Sequence, residues 1–202
     1  MKKVTDNIWT WSIFSEEKQL NFNGFYVQLP DDALFIDPPP LSPEDLLWIE
    51  KEKRPAMIIL TNKDHRRVSE ELRERFKAPI WIHKLDEPLL EVRADRTYSN
   101  GEKILDELEI VHLPDMKSPG ESALYWKKRG VLILGDALIG KVQGALNLLP
   151  AEKFADISKA FESVKKLEEL EFEMILVGDG EPILANAKTV LQKFINDFKS
   201  KK

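Results

Sequence analysis

Short apolar runs alternate with charged segments along this chain, and the period of the apolar positions changes as they go. From Ile8 to Ile13 apolar and polar positions alternate, with Trp9 and Trp11 on one face. Phe25 to Leu29 and Leu34 to Ile36 follow, with Asp31 and Asp32 turning between them, so a β-meander is expected to open the fold. Pro38, Pro39 and Pro40 end it. Ser42, Pro43 and Asp45 then supply an N-cap, a pre-set first turn and an acid for the helix dipole, which predicts a helix through Leu46, Leu47 and Ile49 to about Lys53. Ala56 to Leu60 is continuously apolar and reads as a strand buried on both faces, followed by a helix striped by Val68, Leu72 and Phe76. Pro79 to Ile82 predicts another short strand. Ser99, Asn100 and Gly101 predict a turn into the strand Leu108 to His112, as part of a hairpin.

The rest of the chain repeats these units. Ser122 to Trp126 and Val131 to Leu134 flank a Lys-Lys-Arg-Gly turn. A helix after Pro150 is expected from Phe154, Ile157, Phe161 and Val164, and Met174 to Val177 reads as a strand. Ala187, Val190, Leu191, Phe194 and Phe198 stripe a last helix expected to begin near Pro182. No internal repeat or linker interrupts residues 1–202, which therefore read as one α/β domain.

Composition narrows the chemistry. The sequence has no cysteine, which removes disulfides, thiolate ligands and a Cys nucleophile and leaves oxygen and imidazole as metal donors. A net charge of −5 argues against a broad phosphate-binding surface, and the basic tail Lys199, Lys201 and Lys202 reads as a solvated end rather than a nucleic-acid arm. No run reaches the ~20 apolar residues that cross a bilayer, and Met1 to Thr5 lacks the apolar stretch of a signal peptide, so a cytoplasmic protein is expected. The partners expected are a small-molecule substrate and neither nucleic acid nor membrane, with a homo-oligomer left open. The five tryptophans, Trp9, Trp11, Trp48, Trp81 and Trp126, are read as packing anchors rather than a base-stacking platform.

Candidate chemistry sits where strands end. Leu60 leads to Asp64 and His65, Leu134 and Gly135 to Asp136, and Val177 and Gly178 to Asp179. In α/β folds, sites gather at strand carboxyl ends, where the framework is rigid and the loops supply polar groups, so these four residues are expected to converge. Carboxylates with one imidazole suit Mn, Fe, Zn or Mg, and an ion there would offset repulsion among the acids. Each residue also has a plain reading. Asp64 could be an N-cap, Asp136 and Asp179 turn formers, Lys63 and Lys117 solvated charges, and Met116 core filler.

In this order, the segments resemble the metallo-β-lactamase fold superfamily, especially its glyoxalase II-like hydrolases, over nearly the whole chain. The family's Thr-His-x-His-x-Asp-His stretch corresponds to Leu60, Thr61, Asn62, Lys63, Asp64 and His65, with two residues and two histidines missing. Its Thr-Pro-Gly-His-Thr-Pro-Gly-Ser loop corresponds to Leu113 through Ser122, and the ligand position falls on Met116 or Lys117. The sequence VLILGDAL, Val131 to Leu138, is like the strand whose Gly-Asp supplies a bridging carboxylate, here Asp136. The closing Gly-His-Gly-Glu-Pro-Ile is matched by Gly178 to Ile183, with Asp179 in place of the last histidine.

The resemblance implies a four-layer αββα sandwich of two mixed β-sheets flanked by helices. It also implies that the first metal position is abolished, while Asp64, His65, Asp136 and Asp179 remain as a ligand set for one divalent ion (Zn, Mn or Fe). Lys117, with Lys63, is expected to place an ammonium near the vacated position, and Asp64 to orient or deprotonate water. Of the three histidines, His83 and His112 lie outside the ligand motifs and are expected to be structural. Two functions follow as expectations: a divergent hydrolase using at most one metal on an ester, thioester or phosphoester, or a metal-free binding or assembly protein on the same scaffold.

Overall fold

The first half of the chain makes one sheet and most of the second half another. In the computed structural model, which describes residues 1–200 and leaves Lys201 and Lys202 outside the described residues, β1 (Lys2–Thr5), β2 (Ile8–Ser15), β3 (Leu20–Gln28) and β4 (Ala33–Ile36) pair antiparallel in chain order. Helix α1 (Pro43–Lys51) crosses to β5 (Met57–Leu60), and α2 (Ser69–Phe76) crosses to β6 (Ile80–His83). Together with β7 (Arg96–Tyr98), these strands extend the sheet in parallel. The second sheet comprises β8 (Lys103–Ile104), β9 (Leu108–His112), β10 (Ser122–Trp126), β11 (Val131–Leu134) and β12 (Met174–Val177). Only its β11–β12 pair is parallel. Helices α3 (Ile157–Lys165) and α4 (Ala187–Ser200) complete the chain.

The side-chain period explains the layering. In β4 and β5 every residue is apolar and buried, because alternate side chains face two different cores. Leu34, Ile36, Met57 and Ile59 point inward against Ile110, Leu124, Ile133 and Leu176 of the second sheet. Phe35, Ile58 and Leu60 point outward against Ile49 of α1 and Leu72 and Phe76 of α2. On the far side, Leu132, Leu134, Ile175 and Val177 pack against Phe161 and Val164 of α3 and Leu191 and Ile195 of α4. Burying a side chain of this size stabilises the fold by about 2 kcal/mol. The result is the αββα sandwich of two mixed sheets.

Local signals held where a cap was present. Ser42 accepts the Asp45 N–H at 3.1 Å and Pro43 opens α1. Gly130 takes the left-handed conformation (φ 61°) at the Lys-Lys-Arg-Gly turn. The tryptophans pack as expected, Trp9 lying 5.3 Å from Trp48 and Trp126 being almost fully buried.

Two helix starts moved. The last helix begins at Ala187 rather than near Pro182, because Ile183 is taken into a bridge with Ile175 beside β12. Helix α3 begins at Ile157, capped by Asp156 through Ser158 and Lys159, after a separate turn at Ala151–Lys153. Strands β1 and β7 carry no strong alternation to mark them, and β3 starts earlier than expected, at Leu20, although Leu20, Asn21, Phe22 and Asn23 do alternate.

At one end the two sheets are stitched together. The Asn23 N–H of β3 bonds the Gly178 carbonyl at 2.7 Å, and its side-chain amide donates to the carbonyls of Val177 and Gly180 at 2.8 and 2.7 Å. This is the end at which β4, β5, β11 and β12 stop.

Candidate metal centre

Each of those four strands runs directly into a polar loop. After β4 comes Asp37, after β5 the segment Thr61 to Arg67, after β11 Gly135 and Asp136, and after β12 Gly178 and Asp179. Asn62 caps the short turn Lys63–His65 by accepting the Asp64 N–H at 3.0 Å, which makes Asn62, and not Asp64, the cap. The turn points His65 inward, where it is buried.

His65 is held from both sides. Its Nδ1 lies 2.8 Å from Asp37 Oδ2, and its Nε2 lies 3.3 Å from Asp136 Oδ1. Asp37, fully buried at positive φ (47°), also accepts the Thr61 N–H at 2.8 Å and the Thr61 hydroxyl at 2.5 Å. Burial alone would strip the proton from His65. Asp37, opposed by Arg67 and helped by Asp136, overrides it and pushes the imidazole up to about 10. The imidazole edge also fits only because residue 178 is glycine, since a Cβ there would lie 2.7 Å from His65 Cε1. Gly135 is equally confined, its missing Cβ falling 2.3 Å from Thr61 Oγ1.

Among the described residues, His65, Asp136 and Asp179 form the group whose donor atoms all lie within 4.8 Å of one another. Asp64 stands outside it. Its Oδ1 is paired with Lys63 at 2.8 Å and its Oδ2 with Lys117 at 2.9 Å, and Lys117 reaches on to Asp136 Oδ2 at 2.8 Å. One ammonium therefore bridges Asp64 to the cluster. Partial burial pushes Asp64 up, but the two lysines outweigh it and hold the carboxyl below its usual range. Burial also opposes the charge on Lys117, and Asp136 and Asp64 overcome that and raise its pKa, so Lys117 is a permanent cation. For Asp136, burial is again outweighed, by His65 and then Lys117, and the acid stays ionised.

Lys117 reaches the site because its neighbour does not. Met116 is buried in the outer core, as a filler rather than a ligand. The loop is fastened by Asp86, which accepts the Lys63 N–H at 3.0 Å, the Ser118 hydroxyl at 2.5 Å and the Gly120 N–H at 2.7 Å. Both lysine-bearing loops thus hang from one buried carboxylate.

Three residues escaped the sequence reading. Asp37 follows an apolar strand just as Asp136 does, and that shared pattern is the signal that marks it; the three prolines after it mark only the strand's end. Arg67, at positive φ (39°), donates to the carbonyls of Asn23, Asp37 (2.7 Å) and Gly178 (3.3 Å) and pairs with Asp179 Oδ1 at 3.2 Å. No local signal marks a guanidinium that finds its partner 112 residues away. Glu121, fully buried, receives the Asp136 N–H at 2.8 Å and lies under the site; burial and the charge of Asp136 raise its pKa well above normal. Asp179 is raised too, by burial first, against the pull of His65 and Arg67.

A sequence profile described as the metallo-beta-lactamase superfamily matches residues 1–198. The chain belongs to the metallo-β-lactamase superfamily. Solved structures share the fold at low identity. The metallo-beta-lactamase from Pontibacter korlensis superposes with a TM-score of 0.77 at 16% identity, covering 96% of each chain. TTHA1623 in a di-iron-bound form gives 0.68 at 23%, covering 86% of this chain and 94% of that one. The B3 metallo-beta-lactamase BLEG-1 gives 0.66 at 21%, covering 86% and 93%. No curated protein matches the chain by sequence.

The remaining histidines sit apart from the cluster. His83 and His112 stack on each other, rings 4.3 Å apart and 11° from parallel. No helix among the described residues is long and apolar enough to cross a membrane.

Proposed function

We propose that this superfamily member is a hydrolase of esters, thioesters or phosphoesters that uses one divalent ion, and that Lys117 stands in for the second. The observation that carries the reading is the convergence of His65 Nε2, Asp136 and Asp179 at the floor of a cavity of about 530 Å³, with the Lys117 ammonium beside them. The donor set fits an ion. His65 gives its Nδ1–H to Asp37 and turns Nε2 towards Asp136, so an ion that displaced the Nε2 proton would meet the carboxylate–histidine arrangement that orients metal-binding imidazoles. One nitrogen and carboxylate oxygens, with no sulfur, suit Zn, Mn or Fe.

A divalent ion held there supplies positive charge that polarises a substrate oxygen and makes water more acidic. The chain's own residues do the rest. Lys117, permanently charged, steadies negative charge growing on the substrate oxygen and does not shuttle protons; such a donor is worth about 10²–10³ in rate. Asp64, held ionised by two lysines, is a weak base and acts by accepting a hydrogen bond that aims the attacking water. For an ester or thioester, water adds to the carbonyl carbon and the C–O or C–S bond breaks. The leaving group departs with one proton of that water, and the acid formed gives the other to solvent and remains as a carboxylate.

One observation favours a second reading, a metal-free binding protein. Asp37, Asp64, Asp136 and Asp179 already have cationic partners in His65, Lys63, Lys117 and Arg67. Elemental analysis of protein purified without added metal, together with ester, thioester and phosphoester assays, separates the two. About one ion per chain, with hydrolysis, is expected, and Asp136→Ala is expected to lose both; full activity in that variant would refute the mechanism.

A further inference from the structure

The cavity above the cluster is charged unlike the rest of the protein. The chain carries a net charge of −5, yet the cavity is lined by five lysines and arginines against three aspartates. The acids, Asp64, Asp136 and Asp179, all lie on the floor, where Lys63, Lys117 and Arg67 pair with them. Lys18, Lys141 and Lys153 line the same cavity and are exposed. Of these, Lys18 is paired with Glu17 at 2.7 Å, a contact open to solvent and readily exchanged.

Between floor and rim the wall is apolar. Leu20 and Phe22 of β3 face the cavity from one side, and Ile139, Leu148 and Leu149 from the other. Leu20, Phe22, Leu148 and Leu149 are only half-buried, so each leaves apolar surface that a ligand could cover. The volume, about 530 Å³, is that of a pocket for a molecule with a chain and a head group, not for a small ion.

We propose that the cavity selects amphipathic anions, molecules with an apolar chain along Leu20, Phe22, Leu148 and Leu149 and a phosphate-bearing end at Lys18, Lys141 and Lys153. This rests on the hydrolase reading only in placing the scissile bond at the floor; the selectivity itself is a property of the wall and rim. An apolar chain without charge satisfies the wall and leaves the lysines to water. A bare anion meets the lysines and gains nothing from the leucines.

Titration calorimetry with octyl phosphate, inorganic phosphate and octyl glucoside tests this. Octyl phosphate is expected to bind about tenfold or more tightly than either of the others, and less tightly as salt is added. The exposed-surface variant Lys18→Ala/Lys141→Ala/Lys153→Ala should lose about tenfold for octyl phosphate and nothing for octyl glucoside. Leu148→Ala/Leu149→Ala should bring octyl phosphate down towards inorganic phosphate. Unchanged octyl phosphate affinity in the triple lysine variant, or equal affinity for octyl and inorganic phosphate in the native protein, overturns the proposal. Octyl phosphate binding retained in Asp136→Ala supports it even if no ester is ever hydrolysed. Hydrolysis of a neutral ester as fast as a phosphate-bearing ester of the same acyl chain overturns it and leaves the hydrolase reading standing.

Discussion

Asp37 Oδ2 lies 2.8 Å from His65 Nδ1, and this one contact decides which nitrogen of the imidazole faces Asp136 and Asp179. An Asn at position 37 keeps an acceptor for the Thr61 N–H but removes the charge. Asp37→Asn is therefore expected to weaken metal uptake by about 10–100-fold, as loss of the group behind a ligating histidine does. Calorimetric titration with Zn²⁺ or Mn²⁺ reads the change, and circular dichroism checks that the variant is folded. Unaltered affinity would mean that the contact does not govern the ligand.

Gly178→Ala tests the same imidazole from below. The added Cβ would sit 2.7 Å from His65 Cε1, too close without movement of the ring. Overpacking of this kind costs about 1–3 kcal/mol, and the ring, pinned by Asp37, has little room to yield. Metal uptake should fall while the strands on either side persist. Thermal melts and metal analysis of one sample compare the two effects, and normal uptake with a normal melting temperature would contradict the packing argument.

These two sites show what the chain makes legible. Asp136 and Asp179 could be picked out because an apolar strand ending in Gly-Asp is a local pattern, and the sheets do bring them together with His65. The pairing of Asp64 with lysines was half-visible. Lys63 and Lys117 stand out in the sequence, but whether a carboxylate meets an ion or an ammonium depends on the path of the loop through Met116, fixed by packing far away. Arg67 was out of reach altogether, since its role rests on backbone carbonyls from within β3 and just past β4 and β12. The fold was easier because two-sided burial leaves its mark on β4 and β5 residue by residue. The shifted start of α4 shows a bridge to Ile175 overriding a proline signal.

Asp86 offers a test away from the cluster. Fully buried, it accepts from Lys63, Ser118 and Gly120, and its removal leaves the buried Gly120 N–H and Ser118 hydroxyl, and the part-buried Lys63 N–H, without that partner. Each such group costs about 1–3 kcal/mol. Asp86→Ala is expected to lower the urea midpoint and, because both lysine loops loosen, to reduce kcat more than KM rises. Asp86→Asn, which keeps acceptor capacity, should recover part of both. A variant as stable and as active as the native protein would show that the loops are held by other means.

The stacked histidines predict an acid-side dependence of stability. Burial first, then His112 and Lys84, push His83 from 6.5 down to about 4. In the unfolded chain His83 takes up a proton near its ordinary value, whereas in the fold it resists until about 4. The contribution is thus complete above pH 6.5 and is lost as the pH falls towards 4. His83→Asn keeps an acceptor for the Leu85 N–H, which bonds His83 Nδ1 at 3.3 Å. Its melting temperature should fall less steeply than the native protein's between pH 7 and pH 4; parallel slopes would exclude His83 as the source.

Asn23 and Arg67 bind the two sheets to each other at the very edge where the polar cluster lies. A molecule entering the cleft cannot do so by prising the sandwich apart, since that seam would have to tear first. The opposite bank, the stretch from Ile139 to Pro150, is moored as well, by backbone bonds from Gly140 to Asp179 and Glu181 and by Leu146 buried in the outer core, so the cleft meets a guest with its shape already set.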